Sequence, residues 1–374
     1  MPSGKDTLIV TGSSGLIGAA LCQRAAERYN VIALDRRRPA HLPPGGANFV
    51  VDIASREQVR RTLHEIRRLH GEHIASVVHL AGYYDFSGEP SPLYDAVTVH
   101  GTGHLLHALQ EFQDVGQFLF ASTMLVHAPC APGQTINEDW PLEPKWAYPQ
   151  SKLEAEQLIR AQRGAIPAVL LRIAGVYDEY CHLPTLAHQI QRIYERQILR
   201  SVFPGDSTHG QATLHLDDLL DALFLLIERR AVLPPELPLL VGEPDTVSYE
   251  ELQRRLGVLI HGEEFTTHEI PKALAKTGAW LEDALPGEEP FIKPWMIDVA
   301  DDHYALDITR ARTVLGWEPR RTLRATLPHM VATLKADPLA WYRANQLTPP
   351  DWMERVARPA AGPRPGVAPH GQSR

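Results

Sequence analysis

The sequence predicts an α/β fold: a doubly wound parallel sheet carrying a smaller, discontinuous α/β substrate lobe. Three observations predict it. Short apolar runs recur up to residue 176, most of them followed by an amphipathic helical pattern. The first run empties directly into a glycine-rich turn. The alternation then loosens and returns briefly at 215–243. Continuous apolar strands separated by helices are what a parallel sheet covered on both faces requires.

The elements follow in order. Residues 7–11 (TLIVT) form an apolar strand, and 16–28 read as its helix. The second and third strands are expected at 31–35 and 48–51, with a charged helix at 56–70. Strands at 75–80 and 117–122 precede a helix at 148–163 and a sixth strand at 168–173. Right-handed crossovers between such strands give a Rossmann-type doubly wound parallel sheet. A helix at 215–230 and a strand at 237–241 are expected to rejoin it. The expected division is 1–176, with 215–243 returning, for the Rossmann domain; 177–214 and 244–340 for the lobe; and 341–374 for a C-terminal extension. Prolines at 349, 350, 359, 363, 365 and 369 predict disorder after about residue 356.

Composition narrows the function classes. The 374 residues are 44% apolar and 22% charged, an ordinary globular balance. Lys plus Arg is 37 and Asp plus Glu is 45, so the net charge is 37 − 45 = −8, which argues against nucleic acid as the partner. Cys22, Cys130 and Cys181 are odd in number and far apart, fitting neither a disulfide framework nor a zinc site. No apolar stretch approaches the roughly 20 residues needed to span a bilayer, and no targeting segment is read. A soluble, cytoplasmic protein with a small-molecule substrate and no membrane partner is expected.

The chemistry sits in a few motifs. Gly12-Ser13-Ser14-Gly15-Leu16-Ile17-Gly18 lies between a strand and a helix. Gly12 suits the tight turn, Gly15 lets a pyrophosphate approach the backbone, and Gly18 lets helix and strand pack closely. Asp35 ends the second strand, where a carboxylate accepts hydrogen bonds from a ribose diol and repels a 2′-phosphate. That favours NAD; Arg36 and its two following arginines leave NADP open. Tyr148 and Lys152 stand at i and i+4 on one helix face. An ammonium beside a phenol is expected to lower a pKa that starts near 10, readying Tyr148 for proton transfer to or from a substrate oxygen. His100, His104 and His107 also share a helix face, but read as a partly buried helix surface, and no metal is expected.

These pieces together resemble the extended short-chain dehydrogenases/reductases, the NAD-dependent epimerase/dehydratase group. The likeness runs from about residue 7 to 330 through TGSSGLIG, VIALD, VVHLAG, GTGHLLHAL, FLFASTMLVH, YPQSK, LRIAGVY, LHLDDLLDAL and LGWEP. The resemblance implies Thr123 as anchor of the substrate hydroxyl, Tyr148 as acid/base and Lys152 as its modulator and ribose ligand. It implies cofactor contacts from Gly12, Ser14, Gly15, Leu16, Ile17, Gly18, Asp35, Arg36, Asp52, Ile53, Leu80, Ala81, Gly82 and Ser122. It also implies a homodimer built on helices 101–112 and 148–163.

Departures from the family pattern bear on the substrate. Met124 and Leu125 follow Thr123 where the group's dehydratases carry an Asp-Glu pair, and neither transfers a proton. Gln211 stands where many nucleotide-sugar members carry an arginine for the diphosphate. Tyr83, Tyr84, Phe86, Met124, Trp146 and Gln211 are the candidate substrate contacts. The expected function is an NAD(P)-dependent oxidoreductase moving a hydride between nicotinamide and a secondary alcohol or ketone. A nucleotide-sugar epimerase retaining its NAD is the alternative, and a non-catalytic dinucleotide sensor or scaffold the third reading.

Overall fold

The computed structural model describes residues 4–38, 46–85, 89–283 and 293–353, with the side chains of 198–199 and 278–283 not described. Phe86 and the expected disordered tail lie outside the described residues. Seven parallel strands form the central sheet: β1 (Thr7–Thr11), β2 (Asn30–Asp35), β3 (Ala47–Val50), β4 (Ser76–His79), β5 (Phe118–Thr123), β6 (Ala168–Ile173) and β7 (Glu236–Val241). Their order is β3-β2-β1-β4-β5-β6-β7. The order reverses between β1 and β4, so the crevice beyond their carboxyl ends is the place where such sheets bind ligands.

Alternation along each strand divides two cores. Leu8, Val10, Val31, Ala33, Leu119, Val169 and Leu171 face α1 (Leu16–Ala25) and, later in the chain, the helix Leu216–Glu228. Ile9, Ile32, Leu34, Phe118, Phe120 and Leu170 face α2 (Arg56–His70), α3 (Gly101–Leu109) and α4 (Ala147–Gln162). Burial on both faces is why the strands carry few polar residues. The first helix ends at Ala25 rather than at residue 28, and α3 is entered through a π-helical stretch, Tyr94–His100.

The later helices are α5 (Pro184–Tyr194), α6 (Leu216–Glu228, packed on the sheet), α7 (Tyr249–His261), α8 (Lys272–Asp283), α9 (Pro294–Asp298), α10 (Thr309–Leu315), α11 (Leu323–Ala336) and α12 (Pro338–Ala344). A third apolar cluster takes its helical members from α5, α7, α11 and α12 and adds Tyr177, Cys181 and Val247 from the segments between. Trp341 and Tyr342 are fully buried there, and Leu347 and Met353 are buried too. A boundary at residue 341 therefore cuts through α12: the amphipathic chain continues past it, and the proline run begins only at Pro349.

Candidate active site

The turn after β1 is a cradle that excludes side chains. Gly12 has φ 69°, and a Cβ there would stand 2.8 Å from the Ala81 amide nitrogen. Gly18 is buried under the Gly12 carbonyl, which a Cβ would strike. Gly15 donates its N–H to Gly12 O (3.1 Å) and caps α1. The Ser13 hydroxyl beside it is buried and finds no hydrogen-bond partner among the described residues. Asp35 closes the cradle, accepting from Ser14 N (2.9 Å) and Arg37 N (3.1 Å). Backbone donors, a helix N-terminus and an exposed-edge carboxylate at this spacing fit a dinucleotide: pyrophosphate on the glycine turn, ribose diol on Asp35.

The remaining cofactor candidates are placed unequally. Leu80 and Ala81 are held by N–H bonds to Thr11 O and Thr11 Oγ1, both 3.2 Å. Asp52 turns the chain by accepting from Ala54 N (3.0 Å). Ile53 buries its side chain against Gly101, and its carbonyl is hydrogen-bonded to His104 (3.1 Å). Arg36 is exposed. Ser122 departs most from expectation. Its hydroxyl donates to Glu156 Oε1 (2.6 Å), so the side chain is committed to the interior.

Thr123, Tyr148 and Lys152 do converge. Thr123 ends β5, and its hydroxyl hydrogen-bonds Tyr148, from the first turn of α4. One turn on, Lys152 is buried and donates Nζ to Ala121 O (2.7 Å). The ammonium lies 5.8 Å from the Tyr148 ring centre and 4.9 Å from that of Phe120. Gly82 approaches it closely, since a Cβ there would sit 3.1 Å from Nζ. Burial pulls the Lys152 ammonium down to about 8, with Glu156 opposing. Burial also pushes the Tyr148 phenol up to about 12, against the Thr123 hydrogen bond. This reverses the lowering expected from the sequence. The ammonium shares its charge with a backbone carbonyl, and the phenol sits in a dry aromatic setting.

That setting is built from distant segments. Tyr84 meets Tyr148 edge-on at 4.7 Å, Trp146 lies 5.4 Å from it, and Trp295 of α9 stacks on Trp146 at 4.6 Å. These rings open onto a cavity of about 920 Å³ lined by Thr123, Met124, Tyr148, Lys152, Gln211 and many aliphatic side chains of the second half of the chain. Tyr83 is not in its wall: its ring packs on Tyr94 (4.9 Å) and its hydroxyl donates to Asp85 (3.3 Å).

The sequence model of the NAD dependent epimerase/dehydratase family matches residues 8–241, from β1 to the end of β7. The chain belongs to this family. As a member it is an NAD-dependent enzyme. The human 3 beta-hydroxysteroid dehydrogenase type 7 is 27% identical over 349 residues, covering 84% of this chain and 92% of that protein. The dTDP-6-deoxy-L-talose 4-dehydrogenase of Kitasatospora kifunensis is 27% identical over 340 residues, covering 88% and 96%. Among solved structures, the UDP-glucose 4-epimerase of Thermus thermophilus in complex with NAD shares the fold, with a TM-score of 0.66 at 21% identity over 88% of this chain and 99% of that one.

Two buried assemblies stand behind this family member's site. Arg172 on β6 grips Glu156 through Nε (3.1 Å) and Nη2 (2.8 Å), and donates Nη1 to Glu138 O (3.0 Å). Glu156 is one turn beyond Lys152, a spacing that already places it on the same helix face. His79 bridges β1 and α3. Thr102 Oγ1 donates to Thr98 O, so His79 Nε2 donates to Thr102 Oγ1 (2.9 Å) and Nδ1 accepts from Thr11 (2.6 Å). Nothing local in the sequence marks Trp295 or Arg172, since their partners are far along the chain. Among the described residues no group of three or more His, Cys, Asp or Glu side chains is arranged to hold a metal, and His104 hydrogen-bonds Ile53 O (3.1 Å). No helix among them is long and apolar enough to cross a membrane.

Proposed function

We propose that the enzyme oxidises or reduces a large, apolar secondary alcohol or ketone in the cavity, with Tyr148 exchanging the proton. Bound NAD supplies the hydride acceptor or donor. Tyr148 as a phenol gives its proton to a carbonyl oxygen, and as a phenolate takes one from a hydroxyl. Thr123 holds that same oxygen through its hydroxyl. Lys152, fixed by Ala121, sets the field at the phenol and lies where a nicotinamide ribose would rest. Gly12, Ser14, Gly15 and Gly18 hold the pyrophosphate, and Asp35 the adenosine ribose.

The observation that carries this reading is the meeting of the Thr123–Tyr148 hydrogen bond, the buried Lys152 and the glycine cradle at one end of a mostly apolar cavity. Met124 beside Thr123 is buried and brings no proton-transfer group. The apolar wall favours net oxidation or reduction of an apolar molecule over turnover of a nucleotide sugar, in line with the relative named as a 3 beta-hydroxysteroid dehydrogenase, whereas the other dehydrogenase is named for a nucleotide sugar. The test is turnover of a panel of hydroxysteroids, read at the reduced-nicotinamide band, beside UDP-glucose, read both there and by chromatography of the sugar nucleotide, because epimerisation leaves no net reduced cofactor. Turnover of the steroids alone supports the reading; turnover of UDP-glucose alone overturns it.

We further propose a homodimer in which a second copy covers the exposed face of α3 and α4, where His100, Gly103, His107 and Leu158 border a shallow groove. Solution scattering giving a monomer mass would refute it. Three buried free cysteines, Cys22, Cys130 and Cys181, agree with a reducing compartment such as the cytoplasm.

A further inference from the structure

We propose that the substrate ends in an anion, a carboxylate carried on its apolar body, and that Arg192 receives it. This rests on the reading of the cavity as the site of an apolar alcohol or ketone. The ionisable groups in the cavity wall are accounted for one by one. Lys145 donates to Asp302 Oδ1 (2.7 Å), and Asp302 is the only acid in the described wall. His182 contacts Asp178 (2.7 Å), and His209 donates to Asp301 O (2.5 Å). Lys152 is held by Ala121. Arg192 differs. It lines the cavity and is half-buried; its guanidinium makes no hydrogen bond or ion pair with a described residue, and its charge adds to burial in lowering the pKa of His188 one turn earlier.

Helix geometry aims it there. Thr185, Gln189 and Arg192 follow at i, i+4 and i+7 on α5, and all three line the cavity. Gln189 is buried and spends its amide on Gln253 (3.3 Å). Arg192 is the cationic head among these three, about 10 Å along the helix from Thr185 at 1.5 Å per residue, with His188 one turn before it on the same helix. The same cavity wall includes apolar and aromatic side chains, among them Leu252 and the stacked pair Phe203 and Tyr249 (4.0 Å).

A guanidinium presents five donors in a planar fork that matches a carboxylate in two parallel hydrogen bonds. One such fork satisfies one carboxylate. A nucleoside diphosphate brings two phosphates and a polar base, for which the described wall offers no second unpaired cation. The geometry fits an amphipathic substrate: reacting oxygen at Tyr148, rigid apolar body along the cavity, acid at α5.

The test uses the NAD-loaded enzyme and one pair of probes, a 3-hydroxysteroid with a side-chain carboxylate and its methyl ester. Binding is read by quenching of tryptophan fluorescence, which Trp146 and Trp295 report. Turnover is read at the reduced-nicotinamide band. The acid is expected to bind about tenfold to a hundredfold more tightly than the ester, the range of charge-assisted hydrogen bonds. Arg192→Gln is expected to bring that ratio close to one, and Arg192→Lys to keep part of it. Equal binding of acid and ester, or a ratio that survives Arg192→Gln, overturns the inference and leaves the apolar cavity standing. Binding of neither probe overturns both. UDP-glucose binding more tightly than the acid, and weakened by Arg192→Gln, places a diphosphate at Arg192 and overturns both as well.

Discussion

Replacing Glu156 by Gln keeps the volume of the side chain and removes its charge. Arg172 is then left 1% exposed without a counter-charge, keeping the Glu138 carbonyl and His127 Nε2, each 3.0 Å away, and one neutral amide oxygen in place of the carboxylate. Breaking a buried pair from one side costs about 3–5 kcal/mol. Unfolding entropy of about 2.1 cal/mol/K per residue over 374 residues is about 0.8 kcal/mol/K, so the midpoint should fall by about 4–6 °C. The loss also reaches the site, because Glu156 anchors the helix that carries Lys152 one turn and Tyr148 two turns earlier, and it holds Ser122 next to Thr123. Denaturant unfolding measures the free energy, and reduced-nicotinamide absorbance the turnover. The double replacement Glu156→Leu with Arg172→Met should recover most of the stability, since a buried pair can be exchanged for apolar groups at little cost. A Glu156→Gln loss below about 1 kcal/mol would refute the reasoning.

Three further outcomes are expected. Burial holds His79 neutral, with its pKa lowered to about 3 from the usual 6.5. Between those values the unfolded chain binds the proton and the folded chain does not, so stability falls as pH drops through that window, by up to about 1.4 kcal/mol per pH unit. The stability difference between the native protein and His79→Asn should therefore shrink on acidification from pH 6.5; a constant difference would contradict it. Gly12→Ala forces a Cβ against the Ala81 backbone at a positive φ, and should abolish NAD retention on gel filtration; normal retention would contradict the cradle. Trp295→Ala removes the ring stacked on Trp146 and should raise KM for apolar alcohols severalfold with little change in kcat; an unchanged KM would remove Trp295 from the substrate wall.

The strands were legible because both faces of this sheet are buried, which makes Thr7–Thr11 apolar between its terminal threonines and Ala168–Ile173 apolar except for Arg172. Gly12 and Gly18 were legible because close backbone approach admits no other residue there. Tyr148 and Lys152 share a helix face, so their meeting followed from spacing alone. What spacing did not give was electrostatics. The direction of the Tyr148 shift is set by burial and by the neighbouring Tyr94, against the Thr123 hydroxyl. The resemblance placed Ser122 on the nicotinamide side; it lines the cavity, while its hydroxyl is bonded to Glu156, a partner 34 residues on that local pattern does not reveal. Trp295 and Arg192 reach the cavity from remote helices, where local pattern carries no information about partners.

The central claim is that Tyr148 moves the proton. The most direct measurement is turnover of an apolar secondary alcohol by Tyr148→Phe, followed at the reduced-nicotinamide band beside a separate titration of NAD binding. The account predicts a fall in kcat of about a hundredfold to ten-thousandfold, the span of general acid–base catalysis, with NAD binding preserved. Full turnover by Tyr148→Phe would contradict it.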